Sequence, residues 1–152
     1  MQFPDLPVIA NGETPEGERW CLSAAGTPDD YWTALETYDS DGKRWGSGTR
    51  GRALPANTAF AFTVGHQGDD KPLSVIIRAE IRIRRVRLDS PGGISRDLVP
   101  VADVPTVGLT FFVALLPPTN PNIAIEGFDA AGLSVATGGF DATGQLLRQR
   151  LT

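Results

Sequence analysis

His66 is the single histidine of the chain, and Asp69 and Asp70 follow it closely. An imidazole with carboxylates beside it is the raw material of a general base or a metal site. A zinc site, however, draws three or four ligands from His, Cys and carboxylates. Here the one cysteine, Cys21, is far from His66 in the chain. Cys21 lies between Trp20 and Leu22, and a nucleophilic thiol needs an electropositive pocket and a base. A buried, inert thiol on a strand is the expectation. A serine hydrolase would also have to recruit His66, and no Gly-x-Ser-x-Gly elbow is present. The carboxylate pairs Asp29–Asp30, Asp39–Asp41 and Asp69–Asp70 all fall in turn-like stretches, where Asp serves backbone geometry. Asp39-Ser40-Asp41-Gly42 opens like a calcium loop but lacks the glutamate that would close one. No phosphate-binding glycine motif occurs. The expectation is no catalytic residue, no metal and no cofactor, with a small enzyme centred on His66 the least favoured reading.

Two groups of residues suit recognition instead. Arg78, Arg82, Arg84, Arg85 and Arg87 are packed into ten positions. Alternation predicts that all five point outward from one sheet. Their planar forks grip carboxylates at two points, so an acidic protein partner or a second copy of the chain is the expected ligand. The competing reading is a strand defended by charge, with acids on adjacent strands pairing locally. Nucleic acid is not expected, because no aromatic residue interrupts the ribbon to stack bases and the net charge is −4. The second group is aromatic: Trp20, Trp32, Trp45, Tyr31 and Tyr38 all fall within residues 20–45. Aromatic platforms bind sugar rings, so Trp32 and Trp45 are candidates for a carbohydrate or ligand site; ordinary sheet packing is the alternative.

The elements that must position these residues announce themselves through one repeated pattern: an aromatic residue, Asp, two free positions, Gly. It occurs at Tyr38–Gly42, Phe128–Gly132 and Phe140–Gly144. In each, Asp can accept bonds from amides ahead of it and Gly can take the positive φ that closes a turn onto a returning strand. Between the turns apolar residues alternate, as in Thr58, Phe60, Phe62 and Val64. Strands are expected from Glu18 to Ala25, Tyr31 to Tyr38, Thr58 to Val64, Ile94 to Val101, Ile123 to Phe128, Leu133 to Thr137 and Leu146 to Leu151, with a loop from Gly46 to Pro55. In the long run Leu73 to Leu88 the alternation flips after Arg84. That predicts a bulge at Arg84-Arg85 and a corner near Arg78 to Arg82 where the chain changes sheets. Val107 to Leu116 is apolar in both phases, as for a strand covered on both faces.

The 152 residues, 41% of them hydrophobic, suit one globular domain, and 17 Gly with 12 Pro suit many turns. The fold class expected is all-β: a single antiparallel β-sandwich with about nine or ten short strands. Residues 1–17 read as an extended arm or linker and 18–152 as the sandwich domain. The N-terminus lacks the charged and apolar regions of a signal peptide, and no run approaches the ~20 apolar residues of a membrane span. Twelve Arg against two Lys is the usage of a GC-rich bacterial genome.

From Ile83 to Val135 the chain resembles an immunoglobulin-like domain type found in extracytoplasmic proteins of actinobacteria. The matching pieces are Arg84-Arg85-Val86-Arg87-Leu88, Phe111-Phe112-Val113 and Phe128-Asp129-Ala130-Ala131-Gly132. The resemblance implies that the single antiparallel β-sandwich is immunoglobulin-like, and that it is a binding or sensory module without a catalytic centre. A non-catalytic interaction or structural module, such as a subunit of a bacterial or phage surface assembly, is therefore the expected function.

Overall fold

The computed structural model describes residues 5–14, 17–39, 41–42, 44–65, 73–90, 95–116, 123–140 and 146–151. His66, Asp69, Asp70 and the third turn at Asp141–Gly144 lie outside them. The chain is all-β, with thirteen antiparallel strands in three sheets among the described residues, rather than nine or ten in one sandwich. It divides into two compact units, Met1–Ala53 and Leu54–Thr152.

The first unit is a meander of β1 (Val8–Glu13), β2 (Arg19–Gly26), β3 (Tyr31–Tyr38) and β4 (Arg44–Gly51), hydrogen-bonded in that order. The division therefore differs from an arm ending near residue 17. Val8–Glu13, within the stretch read as an arm, pairs antiparallel with β2. The expected loop after Gly46 is also a strand, paired along its whole length with β3. Its glycines concealed it, because Gly weakens strand propensity, but cross-strand pairing overrides that preference. Burial alternates along β3. Tyr31, Thr33, Leu35 and Thr37 are buried, whereas Trp32, Ala34, Glu36 and Tyr38 stay partly exposed.

The second unit holds two sheets. One contains β5 (Phe60–Gly65), β6 (Leu73–Glu80), β9 (Ala102–Val104) and β10 (Leu109–Leu116) in the order β5-β6-β10-β9. The other contains β7 (Arg85–Asp89), β8 (Ser95–Leu98), β11 (Ile123–Phe128), β12 (Ser134–Phe140) and β13 (Leu146–Leu151) in the order β13-β12-β11-β7-β8. Both contribute to one apolar cluster: Phe60, Val75, Ile77 and Phe112 from the first sheet, Val86, Leu88, Ile125 and Ala136 from the second. The packing is close. A methyl group on Gly127 would come within 2.7 Å of the Phe60 ring. Phe111 and Phe112 are both fully buried, so β10 is covered in both phases as its composition predicts.

The long run from Leu73 breaks where a change of sheet was expected, but by a corner instead of a bulge. β6 ends at Glu80 and the chain turns through Ile81 and Arg82. The Ile83 amide donates to the Glu80 carbonyl at 2.9 Å, and the Arg84 amide donates to the Phe128 carbonyl at 2.7 Å. The second of these bonds already belongs to the other sheet. Ile83 plugs the core at this corner, which is why the alternation flips immediately after it.

The two described Asp-x-x-Gly turns share one geometry. Asp39 Oδ1 accepts from the Asp41 amide at 2.9 Å, and the Gly42 amide donates to the Asp39 carbonyl at 3.0 Å. Asp129 Oδ1 accepts from the amides of Ala131 (2.9 Å) and Leu133 (3.0 Å), while the Gly132 amide donates to the Asp129 carbonyl at 3.0 Å. Gly42 and Gly132 have φ of 82° and 83°, the left-handed region in which a side chain is strained.

Candidate functional site

The arginine run lies at the end of β6, through the corner and along β7. Arg78 does not point to solvent: it is 6% exposed, on a strand buried from Leu73 to Ala79. Strand β6 lies between β5 and β10, with Arg78 opposite Ala61 and Phe111. Alternation tells which residues share a face, but not whether the second face is wet.

The other four arginines are each matched to a carboxylate. Arg82 Nε donates to Glu80 at 2.7 Å. Arg84 grips Asp103 of β9 with both terminal nitrogens, at 3.0 and 3.2 Å, and also donates to the Ile81 carbonyl at 3.1 Å. The Thr110 hydroxyl donates to the same carboxylate at 2.7 Å. The bonds from Arg84 and then Thr110 hold Asp103 below its ordinary pKa. Arg85 donates to Asp97 of β8 at 3.0 Å, and its guanidinium lies 4.0 Å from the centre of the Phe128 ring. Arg87 donates to Asp89 at 3.0 Å. Four cations therefore face four anions, and this group carries no net charge. Two of the pairs, Arg84–Asp103 and Arg85–Asp97, reach across to other strands, and two, Arg82–Glu80 and Arg87–Asp89, join residues two positions apart.

Two large apolar side chains in the sheet that contains β7 are exposed: Val99 at 70% and Leu133 at 65%. Leu98 is in register with Val86, and Phe128 with Arg85. Val99 follows β8 and Leu133 precedes β12, whose Ser134 pairs with Phe128, so both lie at the end of the sheet where β7 begins. Reasoning from sequence passed over both, because a single exposed aliphatic residue in a turn has no pattern.

In the first unit the partly exposed phase carries most of the polar chemistry. Arg50 stacks on Trp32, 4.6 Å from the ring centre, and grips Asp30 at 2.8 and 3.0 Å. That grip lowers the Asp30 pKa. The Tyr38 hydroxyl donates to Glu36 at 2.7 Å, which raises the phenol pKa, and Arg44 lies 3.8 Å from the same carboxylate. Trp32 is in register with Arg50 and position 45 with Thr37, so positions 32 and 45 belong to opposite alternating sets of the sheet.

Beside Tyr38 is an open pocket of about 390 Å³, lined by Asn11, Gly12, Arg19, Trp20, Cys21 and Tyr38. Cys21 is partly exposed here, not buried as expected. The register sets Asn11 opposite Cys21 and Arg19 opposite Tyr38, which gathers these four positions from three strands into one alternating phase. Arg19 lies over the Tyr38 ring, 5.8 Å from its centre. Asp39 and Asp41 serve their turn, and no group of three or more His, Cys, Asp or Glu able to hold a metal occurs among the described residues. No helix among them is long and apolar enough to cross a membrane. Comparison with known proteins finds no matching family model, no similar curated protein and no similar solved structure.

Proposed function

We propose that this chain is a non-catalytic interaction module whose second unit is an immunoglobulin-like sandwich, binding a protein partner or a second copy of itself. The strand order supports the fold. β5-β6-β10-β9 has the connectivity of the A-B-E-D sheet of such domains, and β12-β11-β7-β8 that of the G-F-C-C′ sheet, with β13 added beyond G. In that scheme the corner at Ile81–Arg84, the turn at Pro105–Gly108 and the hairpin at Asp129–Leu133 cluster at one end. Sandwich modules present their binding loops at such ends.

The observation that carries the reading is the exposure of Val99 and Leu133 at this end, beside Arg82, Arg84 and Arg85 with their balanced charges. Apolar anchors rimmed by satisfied polar groups are the anatomy of a protein contact. Arg87, farther along β7, belongs to the same paired surface. By analogy of fold, the setting is extracytoplasmic or a virion surface.

The test uses the full chain. Sedimentation at rising concentration measures self-association, and proximity labelling in the native host identifies partners. Leu133→Asp is expected to weaken the association or remove the partner, while raised salt has little effect. A monomer at every concentration, with the same labelled neighbours for wild type and Leu133→Asp, would overturn the proposal.

A further inference from the structure

The pocket on the first unit has no part in the interaction proposed above, and its composition is selective. We infer that it binds a small organic carboxylate of monosaccharide size, gripped by Arg19. The case begins with a cation that, like Arg96, pairs with no carboxylate among the described residues but, unlike it, lines a pocket. Arg44, Arg50, Arg82, Arg84, Arg85 and Arg87 each have a carboxylate within 4.0 Å. Arg19 makes no ion pair among the described residues, although it lines the pocket. Glu13 is its register partner on β1 but forms no ion pair with it. Glu36, two positions before Tyr38 on β3, is already engaged by the Tyr38 hydroxyl and by Arg44. The guanidinium rests over the Tyr38 ring, which orients its fork while leaving the donors unspent. Such a fork matches a carboxylate at two points.

The remaining lining defines the rest of the ligand. Asn11 brings an amide that both donates and accepts, suited to a hydroxyl next to the carboxylate. Cys21 and the Tyr38 ring offer weakly polar and apolar surface. Gly12 and Trp20, which face each other across β1 and β2 in the other phase, complete the lining. A side chain at Gly12 would begin 2.5 Å from the Trp20 ring, so the ring would have to shift to admit one. The volume of about 390 Å³ sits near the lower end of the ~300–1,000 Å³ of small-molecule sites. A single sugar acid suits that size better than a polymer does.

Cys21 supplies the readout. Its thiol lines the pocket and is the chain's only cysteine, so a bound ligand slows its alkylation by iodoacetamide. The probe is D-glucuronate, and D-glucose, with the same ring and no charge, is the control. Glucuronate is expected to protect Cys21 saturably, with half-protection on the order of 1 mM, and glucose is not. Each variant is compared with itself with and without probe, so a change in intrinsic thiol reactivity cancels. Arg19→Gln is expected to weaken protection about tenfold, whereas Arg96→Gln, a change to another exposed arginine in the second unit, leaves it intact. Both variants are first checked for an unchanged melting curve. Absence of protection by glucuronate, equal protection by glucose, or full protection in Arg19→Gln would each overturn the inference. None of these outcomes bears on Leu133, so this proposal and the protein-contact reading stand or fall separately.

Discussion

Two arginine-bearing surfaces of this molecule invite opposite readings from sequence and from structure. The run from Arg78 to Arg87 is the densest cationic stretch in the chain, yet its four described surface members are each balanced by a carboxylate. Arg19 stands alone in sequence, in an acidic molecule, and is the one that lines a pocket without an ion-pair partner among the described residues. Charge density along a strand does not make a charged surface. Glu80 and Asp89, each two positions from its arginine, balance Arg82 and Arg87, and the fold supplies the other two carboxylates. Arg84 meets Asp103 and Arg85 meets Asp97, at separations of 19 and 12 residues in the chain.

The largest effect that can break this comparison is at Arg78, the member of the run that is enclosed. Arg78→Ala removes a long buried stem and its guanidinium, and is expected to cost about 3 kcal/mol. Arg82→Ala, on the exposed corner, is expected to cost within about 0.5 kcal/mol. Urea denaturation of both variants measures the difference. Equal losses would mean that one run does not divide into an interior arginine and surface arginines.

Next is Arg85, which combines an ion pair to Asp97 with a stack on Phe128. Arg85→Ala is expected to cost about 1 kcal/mol, and Arg85→Lys about half of that, since Lys keeps the charge but not the planar face. Raised salt should erase the ion-pair share and leave the stacking share. A loss that vanishes entirely in high salt would show that Phe128 contributes nothing.

What could be read in advance follows from the range of the interactions. The turns at Asp39 and Asp129 are local. An Asp side chain reaches amides two to four residues ahead, so the pattern that encodes them is contiguous. The corner at Ile81–Arg84 was legible because a buried Ile83 followed by a flipped phase is also local. The two-faced burial of β10 was legible from its composition. The burial of Arg78 was not, because nothing within its own strand says that both faces of β6 are covered. β4 was missed because Gly46, Gly48 and Gly51 lower its propensity while eight pairings to β3 restore it. The pocket was missed because Asn11, Arg19, Cys21 and Tyr38 lie on three strands, and only the register brings them together.

Arg84 and Asp103 sharpen the comparison through pH. The Asp103 side chain is 42% exposed, so the coupling measured by a double-mutant cycle with Arg84→Gln and Asp103→Asn should be only about 0.5–1 kcal/mol. Bonds from Arg84 and Thr110 set the folded pKa below the ordinary 3.8. The unfolded chain therefore binds the proton more readily. The stabilisation is fully present above the ordinary value and is lost as pH falls through the lowered folded one. Asp103→Asn should lose stability at neutral pH and show a shallower decline in acid. A wild-type and variant difference that holds constant into strong acid would remove the carboxylate as its source.

The stability effect at Arg19 is as small as that at Arg82, and its smallness is the point. With no ion pair among the described residues and only a 5.8 Å approach to Tyr38, Arg19→Gln is expected to change unfolding free energy within about 0.5 kcal/mol. A residue that matters little to folding but projects a free fork into a pocket is available for a ligand. Arg85 is not, because its fork and its face are both occupied. Denaturation curves for Arg19→Gln and Arg85→Gln, run side by side, test that distinction. If Arg19→Gln proves the more costly, its guanidinium is engaged within the fold and the contrast between the two surfaces disappears.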